Sequence, residues 1–477
     1  MTTTDKGLRR IRALRQELVG LDVEVPVLGG GLRRYVTLDS ASSTPTFRPV
    51  LEKVDEFLRY YSNVHRGEGY KSQFASWAFE EARGIVARFV GADPDHDTVI
   101  FTRNTTESIN KLARIYPFHK DPVVLTTLME HHSNDLPWRR RAEVVHAGLR
   151  PDGSLDLDDF RARLARCRGR LDLVAVTGAS NVTGWVNDIH LLARLAHEVG
   201  AKIVVDAAQL GPHRPVAMKP AGDPEHLDFV AFSGHKLYAP YGVGALVGDR
   251  AALLAAEPDN VGGGTVDIVT TDSASWRDLP EREEAGTPDI VGAVALAAAI
   301  RLIESLGWPA IIAHEERLTR RLLERLAAVP GLRIHGKTLA PDISDRLGVV
   351  AFNLGDLPHA LVAAILSYEG GIGVRNGCFC AHPYVLCLLG VSEGEAEAVR
   401  REIIGRDRSR VPGAVRASIG LQSDESDVDA LCDCLEMIAE DRHAGRYELC
   451  CETGAWRPAG EPCFRFADRF SFDPRLP

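Results

Sequence analysis

The chain has 477 residues, 45% hydrophobic and 26% charged, with a formal net charge of −10. This is the composition of a globular protein, not a disordered or fibrous one, and at about 150 residues per domain it is long enough for two or three domains. The acidic balance argues against nucleic acid or an anionic membrane surface as a partner, since both reward a basic face.

Along the chain, residues 1–20 are charged throughout and lack the apolar core of a signal peptide, so a cytoplasmic protein is expected. Leu8, Ile11, Leu14 and Leu18 recur at helical spacing, which predicts an amphipathic arm over residues 1–34 that packs on a small domain. TVIF (98–101) reads as a strand, and Thr102–Glu107 opens a helix beginning near Ser108. Hydroxyls at a helix N-terminus suit a phosphate, though they also serve as ordinary caps. VVLTT (123–127) is a second strand, followed by Glu130-His131-His132-Ser133-Asn134. A histidine pair there could bind a metal, cover a ring, act as an acid–base group or be structural.

Residues 157–167 and 189–199 have helical periodicity, and DLVAVTG (172–178), KIVVDAA (202–208) and DFVAFS (228–233) are apolar strands. Such alternation predicts a mostly parallel sheet with helices on both faces, whose ligands bind beyond the C-terminal strand ends. Asp206 ends one strand, with Gln209 three residues on. A carboxylate there either caps the next helix or meets a cation. Ser233-Gly234-His235-Lys236 ends the next strand. A lysine so placed can be desolvated and nucleophilic. Ser-x-x-Lys also occurs in serine acyltransferases, but the partner Ser-Asp-Asn and Lys-Thr-Gly elements are missing.

Residues 293–326 read as one long amphipathic helix leading to a second domain, with a strand at 349–354 and helices at 359–368 and 428–439. The charged stretch 392–409 reads as an inserted helix and the last 35 or so residues as irregular. The longest apolar run, 290–300, is shorter than the roughly 20 residues of a membrane span. The boundaries expected are an arm (1–34), a large domain (35–300), a small C-terminal domain (301–440) and a cysteine-containing tail (441–477). Five of the nine cysteines, Cys432, Cys434, Cys450, Cys451 and Cys463, lie near the end; no pair has the C-x2-C spacing of a zinc site, and no metal is expected.

Taken together, a helix-capping phosphate site, a ring-covering histidine, a buried aspartate and a strand-end lysine describe a site for pyridoxal 5′-phosphate. Lysine is scarce here: 47 of the 56 basic residues are Arg, and of the nine Lys only Lys236 stands at a strand end after Asp206. The chain resembles the class V aminotransferase-fold enzymes, and among them the cysteine desulfurase and selenocysteine lyase group. The resemblance runs from about residue 35 to 435 through TLDSASSTP (37–45), NVHRGEGYKS (63–72), FTRNTTESIN (101–110), EHHSNDLPW (130–138), SNVTG (180–184), VVDAAQLGPH (204–213), FSGHKLYAPYGVG (232–244), EAGTPD (284–289), VRNGCFCAHP (374–383) and VRAS (415–418).

The resemblance implies an α/β fold-type-I pyridoxal phosphate homodimer with active sites shared across its interface. It makes Lys236 the Schiff-base lysine, with Asp206 on the pyridinium nitrogen, Gln209 on the ring hydroxyl and His131 stacked on the ring. Thr105, Thr106, Ser233 and His235 would bind the phosphate, joined by Thr287 from the partner subunit. Asn181 and Arg416 would meet the amino-acid substrate, with Arg375 and His65 at the same mouth. Cys380 matches the sulfur-accepting cysteine, and the Cys378-Phe379-Cys380 form also resembles the loop of molybdenum-cofactor sulfurases.

The implied reaction is cleavage of the C–S or C–Se bond of cysteine or a derivative, with a sulfur-acceptor protein as a possible partner. Transamination, epimerisation or decarboxylation on the same cofactor is one alternative, and a non-catalytic sulfur carrier another. Asn104 replaces the usual Gly of the phosphate loop, Gly178-Ala179 replaces a His–Val pair, and the segment between Cys380 and Arg416 is long. These departures suit a special substrate such as a bulky S-conjugate of cysteine.

Overall fold

The computed structural model describes residues 2–474 except 66, 339, 461–463 and 465. Arg66 and Cys463 therefore lie outside the described residues.

Short runs rich in Val, Ile and Phe build the main sheet: β1 (Asp97–Thr102), β2 (Val123–Thr127), β3 (Glu143–Ala147), β4 (Leu171–Thr177), β5 (Lys202–Asp206), β6 (Phe229–Ser233) and β7 (Gly244–Asp249). Their order is β1-β7-β6-β5-β4-β2-β3. Strands β2 to β6 pair in parallel, while β7 runs antiparallel to both β1 and β6. The C-terminal ends Thr102, Thr127, Thr177, Asp206 and Ser233 thus share one edge.

Except at the half-exposed edge strand β3, both faces of the sheet are buried, which is why β1, β2, β4, β5 and β6 read as unbroken apolar runs. Phe101, Leu125, Val174, Val205 and Val247 face one core. Ile100, Val124, Leu173, Val204 and Leu246 face the other.

Helix α1 (Thr3–Arg15) opens with a capping box between Thr2 and Asp5. Its buried Ile11 and Leu14 turn inward, and Arg15 meets Asp424 and Asp427 at 3.0 and 3.1 Å. Helix α2 (Thr105–Ile115) follows β1, and the crossover helices α3 (Leu157–Cys167) and α4 (Ile189–His197) lie where their periodicity put them.

The single helix expected over 293–326 is instead two, α5 (Ile290–Leu306) and α6 (Trp308–Ala328), bent by 82°. Gly307 between them has φ +82, and Pro309 cannot donate to the preceding turn. No single helix among the described residues is long and apolar enough to cross a membrane.

A smaller antiparallel sheet follows, from β8 (Leu332–His335), β9 (Val349–Leu354), β10 (Arg375–Gly377) and β11 (Ala414–Ser418), in the order β8-β9-β11-β10. Its own core joins Leu318 and Leu322 of α6, Phe352, Val415, and Leu431 and Leu435 of the closing helix α9 (Glu425–Ala439). Helix α7 (His359–Tyr368) also packs there. The charged stretch forms α8 (Glu393–Ile404), capped by Ser392, with no residue buried.

The tail departs from expectation, because Tyr447–Cys450 and Ala455–Pro458 form an antiparallel hairpin. Gly454, at φ +71, closes its turn, and Glu369 at the end of α7 anchors it by accepting from Ala444 N–H, Gly445 N–H and the Tyr447 hydroxyl. Two further hairpins, Glu24–Val27 with Gly31–Arg34 and Val266–Val269 with Ala274–Trp276, carry little apolar alternation and were not expected.

Candidate active site

A cavity of about 330 Å³ opens at the C-terminal edge of the main sheet. Thr105, Thr106, His131, Asn181, Asp206, Gln209, Ser233, His235, Lys236, Arg375, Cys380 and Arg416 all line it. Each comes from a strand end or from the small sheet folded over that edge.

One wall is a nest of hydroxyls. Helix α2 begins at Thr105 rather than near Ser108, because Asn104 caps it by accepting from Glu107 N–H at 2.9 Å. Ser233 Oγ accepts from Thr105 N–H at 2.8 Å and lies 2.7 Å from Thr105 Oγ1. Thr106 Oγ1 and Ser133 Oγ are 2.7 Å apart. The positive end of α2 and these hydroxyls make an anion seat. A Cβ on Gly244 would come within 2.7 Å of Asn104 Cα, so only glycine at the start of β7 lets this turn lie on the sheet.

The opposite wall holds Lys236 and Asp206. Burial lowers the Lys236 ammonium to about 8, against the pull of the Asp206 carboxylate. Asp206 is 4% exposed, and burial holds its pKa above the usual range although Oδ1 accepts from Ala208 N–H at 2.9 Å. Burial and the nearby cations Lys236 and Arg416 push His131 down to about 3, so its ring is neutral. Its Nδ1 accepts from Ser133 N–H at 3.1 Å, which fixes the ring plane. Gln209 donates to Ala41 O at 2.6 Å.

Arg416, on β11, is 2% exposed. It donates to Asn181 O at 2.9 Å, Asp39 Oδ1 at 2.9 Å and Ser42 Oγ at 2.6 Å, and its Nε has no partner among the described residues. Arg375 reaches the other Asp39 oxygen at 2.8 Å.

The cysteine loop enters above. Phe379 and Cys380 both have positive φ, +51 and +54, a strained conformation for side-chain-bearing residues. The loop is held there because Phe379 O accepts from Asn181 Nδ2 at 2.8 Å and Cys380 O from His132 N–H at 2.7 Å. The His132 ring stacks on His382. Cys380 is exposed. Cys378 is buried, donates to Pro412 O at 3.1 Å and is pushed up to about 11 by burial.

These positions and their order match a known family. The family model described as Aminotransferase class-V matches residues 36–431. The chain belongs to the aminotransferase class-V family. A probable cysteine desulfurase of Streptomyces coelicolor is 36% identical over 446 residues, covering 91% of this chain and 98% of that protein. One from Staphylococcus epidermidis is 38% identical, covering 86% and 93%. The apo structure of a cysteine desulfurase from Thermococcus onnurineus matches with a TM-score of 0.74 at 34% identity, covering 85% of this chain and 95% of that one.

Within this class-V site, the unusual residues have local reasons. Asn104 has φ −173, extended backbone that any residue adopts, so the missing glycine costs nothing and gains a cap. A Cβ on Gly178 would come within 2.8 Å of Leu210 Cδ2, so Leu210 has taken the space of a larger residue.

His65 and Thr287 are not at the main cavity of this chain. They line a second one of about 260 Å³ with Asn63, Arg277 and Glu284. Asp39, Ser42 and Glu130 were not singled out in sequence. The first two lie inside the TLDSASSTP motif, and Glu130 directly precedes His131. Glu130 is 3% exposed and raised to about 8 by burial, and it accepts from Thr127, Asn134 and Thr177 N–H behind the cavity.

Proposed function

We propose that the chain is a pyridoxal-phosphate-dependent cysteine desulfurase acting as a cytoplasmic homodimer. One observation carries the reading: Lys236, Asp206, Arg416 and Cys380 converge on a single cavity. The residues fit the cofactor chemically. A buried carboxylate suits a protonated ring nitrogen, a neutral imidazole offers a face to cover a ring, and a helix N-terminus lined with hydroxyls suits a phosphate. Asp206 would hold the nitrogen, Gln209 the ring hydroxyl and His131 the ring face. Thr105, Thr106, Ser233 and His235 would hold the phosphate, with the partner subunit's Thr287 and His65 brought in across the dimer. When bound, pyridoxal phosphate supplies an electron sink beside the substrate α-carbon.

The remaining work falls to side chains of this chain. Arg416 binds the substrate α-carboxylate, for which its unpartnered Nε is available. With its pKa lowered to about 8, Lys236 is partly uncharged near neutrality, so Nζ can take the α-proton and return it to carbon. Cys380 Sγ attacks the substrate sulfur. Cysteine and the Cys380 thiol give alanine and a Cys380 persulfide, a balance that needs no outside oxidant. The exposed loop then offers that sulfur to an acceptor protein.

The test is a screen of cysteine, selenocysteine, cysteine sulfinate and S-substituted cysteines with product identification. Alanine from cysteine supports the reading. Turnover confined to cysteine conjugates, or products of transamination, contradicts it.

A further inference from the structure

A second cluster lies at the far end of the main sheet, where β1 starts and β7 ends. His226 sits there on the crossover between β5 and β6 and is 2% exposed. Its Nδ1 is 2.6 Å from Lys219 O. A carbonyl only accepts, so Nδ1 carries a proton, and in the neutral ring the lone pair is on Nε2. That Nε2 has no hydrogen-bond partner among the described residues, and it faces Asp97 Oδ1 at 4.0 Å. His96 Nδ1 lies 2.9 Å from the same oxygen, and the two imidazole planes stand at 87°. One ligand atom from each of His96, Asp97 and His226 falls within 4.8 Å of the others.

We propose that His96, Asp97 and His226 bind a divalent cation of the zinc class. Two lone pairs facing each other in a buried gap are costly unless a cation lies between them. Two imidazoles and one carboxylate suit Zn²⁺ or Co²⁺ rather than Ca²⁺ or Mg²⁺. With metal–ligand bonds of about 2.0–2.2 Å, ligand atoms of a tetrahedral site stand roughly 3.4 Å apart. The present spacings of 2.9 and 4.0 Å bracket that value. The half-buried edge of His96 leaves the fourth position to water.

The surroundings are those of a metal site. Asp97 Oδ2 accepts from Asp93 N–H at 2.8 Å, which aims Oδ1 inward. His226 is oriented by the Lys219 carbonyl, and His96 Nε2 points at Asp249 Oδ1, 3.8 Å away. Such carbonyl and carboxylate partners orient metal-bound histidines. Lys202, which reaches Asp249 beside the cluster, is already taken at 2.8 Å by each of Asp228 and Asp249. The cluster and the active-site edge lie at opposite ends of the six-residue strand β1, so the ion would pin the crossover to the sheet without entering the reaction. Cysteine spacing gave no sign of it, because its ligands are not thiols.

The test uses chelator-treated holoenzyme of the full chain, His96→Gln and His226→Gln, with Zn²⁺ uptake by equilibrium dialysis and Co²⁺ by absorption. The exposed thiols can also take metal, so the readout is the difference between proteins. Each variant is expected to bind one equivalent fewer per chain. The lost cobalt signal should be a tetrahedral visible band with no thiolate charge-transfer band, and metal should raise the Tm of the wild type but not of His96→Gln. Cysteine turnover of His96→Gln should stay within about twofold of wild type. Equal stoichiometry in all three proteins, or cobalt spectra showing only thiolate bands, would overturn the proposal. His96 is the more exposed ligand, so its variant keeps the test valid if His226→Gln does not fold.

Discussion

Arg416 donates to Asp39 at 2.9 Å, and Asp39 in turn receives Arg375 at 2.8 Å, so one carboxylate holds two guanidinium groups at the cavity wall. Arg416 remains buried and charged because Asp39 pairs with it, while its Nε stays available to a substrate carboxylate. Replacing the fork with a point charge should chiefly weaken binding. Arg416→Lys is expected to lower kcat/KM about 10–100-fold, mostly through KM, as loss of a charged hydrogen-bond pair worth about 1.5–3 kcal/mol requires. Steady-state kinetics on cysteine measure it; an unchanged KM would remove Arg416 from substrate binding.

Lys236 should govern uptake of the cofactor by the apoenzyme. The nucleophile is the neutral amine, and burial places its pKa near 8. The rate of pyridoxal phosphate capture should therefore rise about tenfold per pH unit below pH 8 and level off above it. An unperturbed lysine would keep rising to about pH 10. Stopped-flow absorbance distinguishes the two curves, and Lys236→Ala should show no visible band of covalently held cofactor.

The two loop cysteines should behave differently. Cys380 is exposed in the cavity, whereas Cys378 is buried, donates to Pro412 O and is held protonated by a pKa of about 11. Cys380→Ala should abolish sulfur transfer yet leave cofactor absorbance intact. Cys378→Ala should keep sulfur transfer within a few-fold and cost stability through the cavity it leaves. Persulfide labelling of both variants checks this, and equal loss of label in the two would make the thiols interchangeable.

Gly178 makes a packing prediction. Leu210 fills the space a larger side chain would need. Gly178→His should lower stability by about 1–3 kcal/mol, the usual cost of overpacking, and Leu210→Ala in the same chain should recover part of it. Thermal melts of the single and double variants measure the coupling; independent, additive effects would contradict the contact.

Much of the main sheet could be read in sequence because β1, β2, β4, β5 and β6 bury both faces, so apolar runs were continuous and ended in polar residues now at one edge, whereas the half-exposed edge strand β3 gave no such run. The cavity was legible for the same reason, since Asp206 ends a strand and Thr105 and Lys236 each stand just past one. What was missed depends on three-dimensional approach. The bend at Gly307 falls inside an apolar pattern that continues on both sides. Asp39 is far in sequence from the arginines it joins. The tail hairpin is fixed by Glu369 of another element, and His65 and Thr287, far apart in sequence, meet at a second cavity.

The most direct measurement of the central claim is a single turnover of holoenzyme with one equivalent of cysteine, following free amino acids and the mass of the Cys380 peptide together. The account predicts one alanine per active site and the mass of one added sulfur atom on Cys380, with neither sulfur on Cys378 nor pyruvate formed. Pyruvate and ammonia with an unmodified Cys380 peptide would contradict it.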